Sequence, residues 1–269
     1  VPEHTLWRVQ TNGEGGVAYL LGSLHLMRRD DTYPLPEVMQ SAFASADVVA
    51  FELDLDAARE GAARMVERGL PGAPGRTVAD ALPDSTEQLL HTQLDSLGLS
   101  ITPFLRMEPW LAGMVLPAAV LRESEYSAEA GLDRHFFEKA KAVGKERVAL
   151  ETLDEQIDVF DYLPIETQSR MLHAALRDVG RTRAQLRALT AAWAAGDTAA
   201  LAGMTNLDLH RHPALRRRLL TDRNRRWVPQ IERLLQRADT SLVVGTGHLV
   251  GEGSVVDLLR KKGYAVEQL

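Results

Sequence analysis

Hydrophobic positions follow two rhythms along this chain. The runs Val17–Leu21, Val48–Leu53 and Leu242–Val244 are almost unbroken, and they are too short for helices. They read as strands buried on both faces. Between them, apolar residues recur at the spacing of a helix with one buried side. The opening "LWRVQTNGEGGVAYLLGSLH" predicts two strands joined at Asn12-Gly13, a pair that tolerates the positive φ of a tight hairpin. Pro36 opens a short helix in "PEVMQSAFASA", Ala57–Arg68 is again helical, and "PGAPG" at Pro71–Gly75 marks a loop.

The middle of the chain is helical. "DSTEQLLHTQLDSLG" begins like a capping box and stops on glycine. "PFLRMEPWLAGMVLPAAVL" is an apolar helix interrupted by prolines, and "GLDRHFFEKAKAVGK" is amphipathic up to Gly144. "RVALET" adds a strand ending in Glu151. Helices resume from Leu153 to about Ala195 and from Pro213 to about Ala238. The chain closes with strand Leu242–Val244, "GTGH", helix Ser254–Lys262, Gly263 and strand Tyr264–Glu267.

Strands alternating with helices predict an α/β fold: a mixed, largely parallel sheet flanked by helices, with the helix-rich middle forming a cap or subdomain. The expected organisation is a single domain over 1–269. Its α/β core spans about 1–56, 131–152 and 239–269, and its helical cap about 57–130 and 153–238.

Composition narrows the functional classes. The 269 residues are 45% hydrophobic and 25% charged, as in ordinary globular proteins. A net charge of −6 argues against nucleic acid as a partner, since phosphate contacts need a basic surface. With no cysteine, thiolate metal sites, disulfides and cysteine nucleophiles are excluded, and either redox compartment is compatible. The longest apolar stretch, Trp110–Leu121, is too short for a membrane anchor and contains Pro117. The first residue is Val1, so a removed leader is expected.

In open α/β sheets, ligands bind beyond the carboxyl ends of the strands. Four polar residues fall there: His25, Glu52, Glu151 and His248. Each histidine closes a Gly-x-x-His segment whose glycine, Gly22 or Gly245, lets the backbone turn sharply and approach closely. The repetition hints at an internal duplication. Two imidazoles with one or two carboxylates suit a divalent cation, or an acid and base working without metal. Taken singly, each residue has an ordinary explanation, such as a loop hydrogen bond or a rim carboxylate paired with arginine. Four of them after apolar strands of one sheet make a site. Arg223 and Asn224 in "TDRNRRWV" are candidates to bind a substrate carbonyl or carboxylate, while the neighbouring arginines read as a solvated helix face. His210 and His212 diverge on a helix and read as surface residues, and His4, His91, His135 and His173 lack a partner pattern. "GEGS" at Gly251–Ser254 is either an anion-binding helix start or an ordinary one.

"LLGSLHL", "VVAFELD", "GLDRHFFEKAKAVGKERVALETLDEQ", "DRNRRW" and "VVGTGHLVGEGSVVDLLRKKGYAV", in this order, resemble the TraB/GumN proteins, which are related to the Tiki metalloproteases. The resemblance runs from Leu6 to Val266 and is weakest over about 57–122. It implies a divalent-metal-dependent protease whose signature is two Gly-x-x-His motifs and a glutamate from an early strand. Those fall on Gly22 and His25, Gly245 and His248, and Glu52, with Glu151, Arg223 and Asn224 as further matches. By the same resemblance, His25, Glu52 and His248 are the metal ligands, manganese or cobalt is favoured with zinc as a further option, and a peptide or protein is the substrate. It also implies a periplasmic or extracytoplasmic address. The chain departs from the animal enzymes in lacking a membrane anchor and any cysteine, so their signalling substrate does not carry over.

The leading expectation is therefore a metal-dependent peptidase, in which Glu52 or Glu151 takes a proton from water and Arg223 and Asn224 steady the substrate. Two rivals are a non-catalytic binding protein for haem, a peptide or an assembly partner, and a metal-free, esterase-like hydrolase.

Overall fold

The computed structural model describes residues 4–10, 15–70, 78–122, 124–206 and 213–269. Asn12-Gly13, the "PGAPG" loop, His210 and His212 lie outside them. The fold is α/β, as the alternation of strands and helices predicts, and the chain divides into two compact units. The first unit comprises Val1–Leu55, Glu125–Thr152 and Arg187–Leu269, and the second Asp56–Ser124 and Leu153–Leu186.

The first unit carries the sheet. Its strands are β1 (Leu6–Gln10), β2 (Val17–Ser23), β4 (Val48–Phe51), β6 (Glu146–Ala149), β7 (Thr240–Gly245) and β8 (Ala265–Gln268), in the order β6-β4-β7-β2-β1-β8. A separate pair joins β3 (Met27–Arg28) to β5 (Tyr126–Ser127). Strands β6, β4, β7 and β2 run parallel, and β1 is antiparallel to both β2 and β8. Strands β4 and β7 are buried along nearly their whole length because helices cover the sheet. Helix Leu132–Ala142 supplies Phe136 and Phe137, and helix Asp222–Leu235 supplies Trp227, Val228 and Ile231, to the same core.

Two strands stop earlier than their hydrophobicity predicts. Strand β4 ends at Phe51, so Glu52 lies just beyond it. Strand β6 ends at Ala149, and Leu150 and Glu151 follow outside it. Backbone pairing continues past both ends, from Leu150 N–H to Phe51 O and from Glu151 N–H to Glu52 O. The two glutamates are thereby held side by side.

The second unit is helical. Leu90 and Leu94 on helix Asp84–Ser96 and Leu172 and Leu176 on helix Ile165–Asp178 stand one turn apart and bury one face each, with Phe104 and Leu116. The capping box expected at Asp84 does not form. Pro83 takes the cap position, and no side chain closes the helix start. The segment expected as one helix over Ala57–Arg68 is two, Leu55–Glu60 and Ala62–Arg68, interrupted at Gly61. Among the described residues, no helix is long and apolar enough to cross a membrane.

Candidate active site

Because β6, β4, β7 and β2 are parallel neighbours, their carboxyl ends share one edge of the sheet. His25, Glu52, Glu151 and His248 all follow those ends. Gly245, the last residue of β7, is where three of them meet. A Cβ on Gly245 would lie 3.0 Å from Glu52 Oε1, 3.8 Å from His248 Cδ2 and 3.9 Å from His25 Nε2. Its own N–H donates to Glu52 Oε1 at 2.6 Å. The glycine thus lets the three polar groups come close to its backbone. Gly22 has a packing role instead. A Cβ there would lie 2.9 Å from Thr246 Oγ1, whose hydroxyl donates to Ser23 O at 2.9 Å.

His248 is buried and held from both sides. Its Nδ1 lies 2.6 Å from Asn224 Oδ1, an acceptor, so Nδ1 carries the proton and Nε2 presents a lone pair. Asn224 Nδ2 donates to Gly253 O at 2.8 Å, which sets the amide's direction. The imidazole rests against the Trp227 ring, centroids 4.3 Å apart. Burial pushes its pKa down to about 3, with Arg223 and His25 acting in the same sense and Glu52 opposing them. His248 is therefore neutral at working pH.

Arg223 binds the carboxylates together. Its Nε donates to both oxygens of Glu151 at 2.9 and 3.0 Å, and Nη2 donates to Glu52 Oε2 at 2.9 Å and also meets Glu151 Oε2 at 2.9 Å. Its Nη1 donates to Leu219 O at 3.1 Å and to His248 Nε2 at 3.0 Å. All five N–H groups are therefore engaged within the protein. Burial of Glu52 favours its neutral form, but His248, Arg223, His25 and the Gly245 N–H outweigh it and bring its pKa down to about 2. Glu151 also accepts from Trp227 Nε1 at 2.9 Å and Arg226 Nη2 at 3.3 Å, so its oxygens are turned away from solvent. The residues come into position through a π-helical turn, Arg217–Thr221, which leads directly into helix Asp222–Leu235.

His25 is the open member. Its side chain is 65% exposed, and Nδ1 lies 3.0 Å from Asp133 Oδ2. The hydrogen bond to Asp133 raises its pKa to about 9, so it carries a proton at neutral pH. Asp133 lies in the segment "GLDRHFFEKAKAVGK" with nothing in the sequence to set it apart. As an acid in the first turn of a helix it looks like an ordinary dipole partner. Trp227 also escapes notice, yet it stands four residues after Arg223 on the same helix, and the guanidinium lies over its ring at 5.0 Å.

The remaining candidates fall elsewhere. His135 packs against Tyr33 with centroids 4.8 Å apart, and His173 meets Thr86 Oγ1 at 2.9 Å within the helical unit. The helix start at Gly251–Ser254 is closed by its own side chains. Ser254 Oγ accepts from Asp257 N–H at 3.1 Å, and Asp257 Oδ2 accepts from Gly253 N–H at 2.7 Å.

The model of the TraB/PrgY/gumN family matches residues 5–268. The chain belongs to that family. Among TraB-family relatives, the metalloprotease TIKI2 of Danio rerio is 24% identical over 97% of this chain and 60% of its own length. The chain therefore spans less than two thirds of that relative. A protein of Treponema pallidum is 22% identical over 97% of this chain and 81% of its own length, and YbaP of Escherichia coli K12 is 27% identical over 90% and 87%. No solved structure matches the chain.

The donors suit a cation in kind. Two imidazoles and a carboxylate are ligands that divalent first-row ions accept, and His248 is in the tautomer a ligand requires, with its other nitrogen tied. Glu52 Oε1 and His25 Nε2 both lie beside Gly245, and the guanidinium of Arg223 bonds to the other oxygen of Glu52. As the side chains stand, no three His, Asp or Glu residues among those described are placed to hold an ion together. His248 Nε2 and Glu52 Oε1 are 4.0 Å apart, and Arg223 occupies the lone pair of one and the second oxygen of the other.

Proposed function

We propose that this TraB-family chain is a metal-dependent hydrolase acting on peptides or proteins. The observation that carries the reading is the meeting of His25, Glu52 and His248 around Gly245, at the carboxyl edge of the parallel strands. The likeness to a Danio rerio protein named a metalloprotease supports it. His25, Glu52 and His248 would hold the ion, manganese or cobalt by preference. When bound, it supplies a water of lowered pKa and polarises the scissile carbonyl.

The chain's own groups divide the remaining work. Glu52 is the glutamate whose oxygen lies beside Gly245 with the two histidines, so it orients the water, accepts its proton and passes it to the leaving amine. Glu151 is a positioning residue, fixing Arg223 and through it Glu52. Asn224 sets the His248 tautomer. His25 is bonded through Nδ1 to Asp133, which leaves Nε2 as the nitrogen beside Gly245. Holding an ion requires it to give up the proton that Asp133 stabilises.

A second reading, hydrolysis without metal, is favoured by Arg223, which already neutralises Glu52 and caps His248. Turnover of a peptide library and an ester panel, with added Mn²⁺ and after chelation, separates the two. The metal reading expects peptide cleavage that Mn²⁺ restores after chelation and that His25→Ala or His248→Ala abolishes with the fold intact. Undiminished turnover in excess chelator overturns it.

A further inference from the structure

The second unit holds a cleft that the hydrolase reading does not use. It measures about 420 Å³, and small-molecule sites range over about 300–1,000 Å³. Three stretches of chain bound it. They are the end of helix Asp84–Ser96 with the residues after it, the end of helix Pro109–Leu121, and the turn that joins helix Ile165–Asp178 to helix Thr182–Ala194. Gly98 and Gly180 lie in its wall, and a Cβ on either would meet nothing within 4 Å. Both glycines therefore border open space.

The lining is aliphatic apart from two cations. Leu97, Leu99 and Val120 are partly buried against the core of the unit, Val179 is buried, and all four line the cleft. Arg122 and Arg183 complete the wall. Among the described residues, neither guanidinium has a hydrogen bond or ion pair, and no acidic side chain lines the cleft. Arg122 follows the last turn of helix Pro109–Leu121, where the dipole favours a cation. Arg183 has no such local reason. It stands in the first turn of helix Thr182–Ala194, where the dipole disfavours a cation and no acid offsets it.

We propose that this cleft binds a free fatty acid, with its hydrocarbon chain against Leu97, Leu99, Val120 and Val179 and its carboxylate on Arg122 and Arg183. Each methylene taken out of water tightens binding by up to about fourfold. A guanidinium offers a carboxylate a fork of two parallel donors. Among the described residues, the lining side chains include no hydroxyl, amide or carboxylate, so they hold nothing with which to read a sugar. The site lies wholly within the second unit and stands whether or not the chain hydrolyses peptides.

The test is calorimetric titration of the full chain with decanoate, octanoate and octan-1-ol, and with phosphatidylglycerol vesicles. Decanoate is expected to bind at one saturable site and octanoate about tenfold more weakly, from the loss of two methylenes. Octan-1-ol, which lacks the charge, should bind more weakly than octanoate. Combining Arg122→Gln with Arg183→Gln should weaken decanoate by about tenfold or more and leave octan-1-ol as it was. Gly180→Leu should abolish binding of all three by filling the space. Its backbone is outside the left-handed region, so leucine brings no strain there. Thermal melts should show each variant as stable as the wild type, because none loses a protein contact. Absence of decanoate binding, equal affinity for octanoate and octan-1-ol, or wild-type decanoate affinity in either variant protein overturns the proposal. Vesicle binding without decanoate binding assigns the two arginines to a lipid surface and overturns it as well.

Discussion

Nη1 of Arg223 lies 3.0 Å from Nε2 of His248 and takes the imidazole's one lone pair. That lone pair serves a single partner, so a metal ion and the guanidinium exclude each other at His248. Arg223 does not need His248 to stay in place, because its Nε and Nη2 also grip Glu151. Replacing it by glutamine should do two things. Glu52 and Glu151 lose their shared counter-charge, which in a buried network costs about 3–5 kcal/mol of stability in metal-free buffer. The affinity for Mn²⁺ should rise by about tenfold or more, as one competitor for the lone pair is gone. Chemical denaturation reads the first effect and calorimetric titration with MnCl₂ the second. Equal Mn²⁺ affinity in wild type and R223Q would show that the two cations do not share a seat.

Asn224 controls which nitrogen of His248 is free. In Asn224→Ala, the Nδ1 proton loses its acceptor and Gly253 O loses its donor, a cost of about 1–3 kcal/mol. Hydrolysis should fall by about 10–100-fold, the usual consequence of losing a partner behind a ligating histidine. Nitrogen NMR of the His248 ring should show a mixture of tautomers where the wild type shows one. An unchanged ring spectrum would remove Asn224 from this role.

How the sequence encodes this site differs from residue to residue. An apolar run that ends in a polar residue marks the carboxyl end of a buried strand, with a glycine as a further mark before His25 and His248, so His25, Glu52, Glu151 and His248 were legible. Their shared edge follows from parallel order, which the alternation of strands and helices implies. The ends of β4 and β6 were not legible, because hydrophobicity reports burial and Leu150 stays buried and bonded to Phe51 beyond the end of its strand. The antiparallel position of β8 beside β1 was hidden for a related reason: which edge a last strand joins depends on the sheet as a whole. Asp133 carries no local mark that separates it from any acid in a helix's first turn. The closed hydrogen-bonding of Arg223 is equally invisible, since it is a property of four segments brought together.

The charges of the site set a pH window for stability in metal-free solution. Glu52 falls from 4.5 to about 2 on folding, so its contribution is present above 4.5 and is lost as pH drops towards 2. His248 falls from 6.5 to about 3, so its protonation also opposes folding as pH drops through that interval. His25 moves the other way, from 6.5 to about 9, so its contribution is complete below 6.5 and is lost as pH rises through 9. The melting temperature should therefore decline on both sides of mildly acidic to neutral pH. His25→Asn should flatten the alkaline decline and leave the acid one in place. Thermal melts of both proteins across the range check this, and an alkaline limb that persists unchanged in the variant assigns it to other groups.

Gly245→Ala tests the meeting point of His25, Glu52 and His248 with the smallest possible change. Gly245 has φ −51°, a value alanine adopts freely, so backbone strain does not enter. The added methyl would lie 3.0 Å from Glu52 Oε1 and 3.9 Å from His25 Nε2, where the water and substrate are expected. The stability cost should be limited to that of a tight contact, about 1–3 kcal/mol, because the carboxylate can shift slightly. Activity should be abolished, since Glu52 is displaced from its place beside the histidines. Gly22→Ala is the matched control. Its methyl would press on Thr246 Oγ1 at 2.9 Å and on none of the three side chains, and should cost stability while leaving residual turnover. Comparing melting temperature and kcat for the pair separates packing from chemistry. If Gly245→Ala keeps wild-type turnover, the reaction does not take place at Gly245.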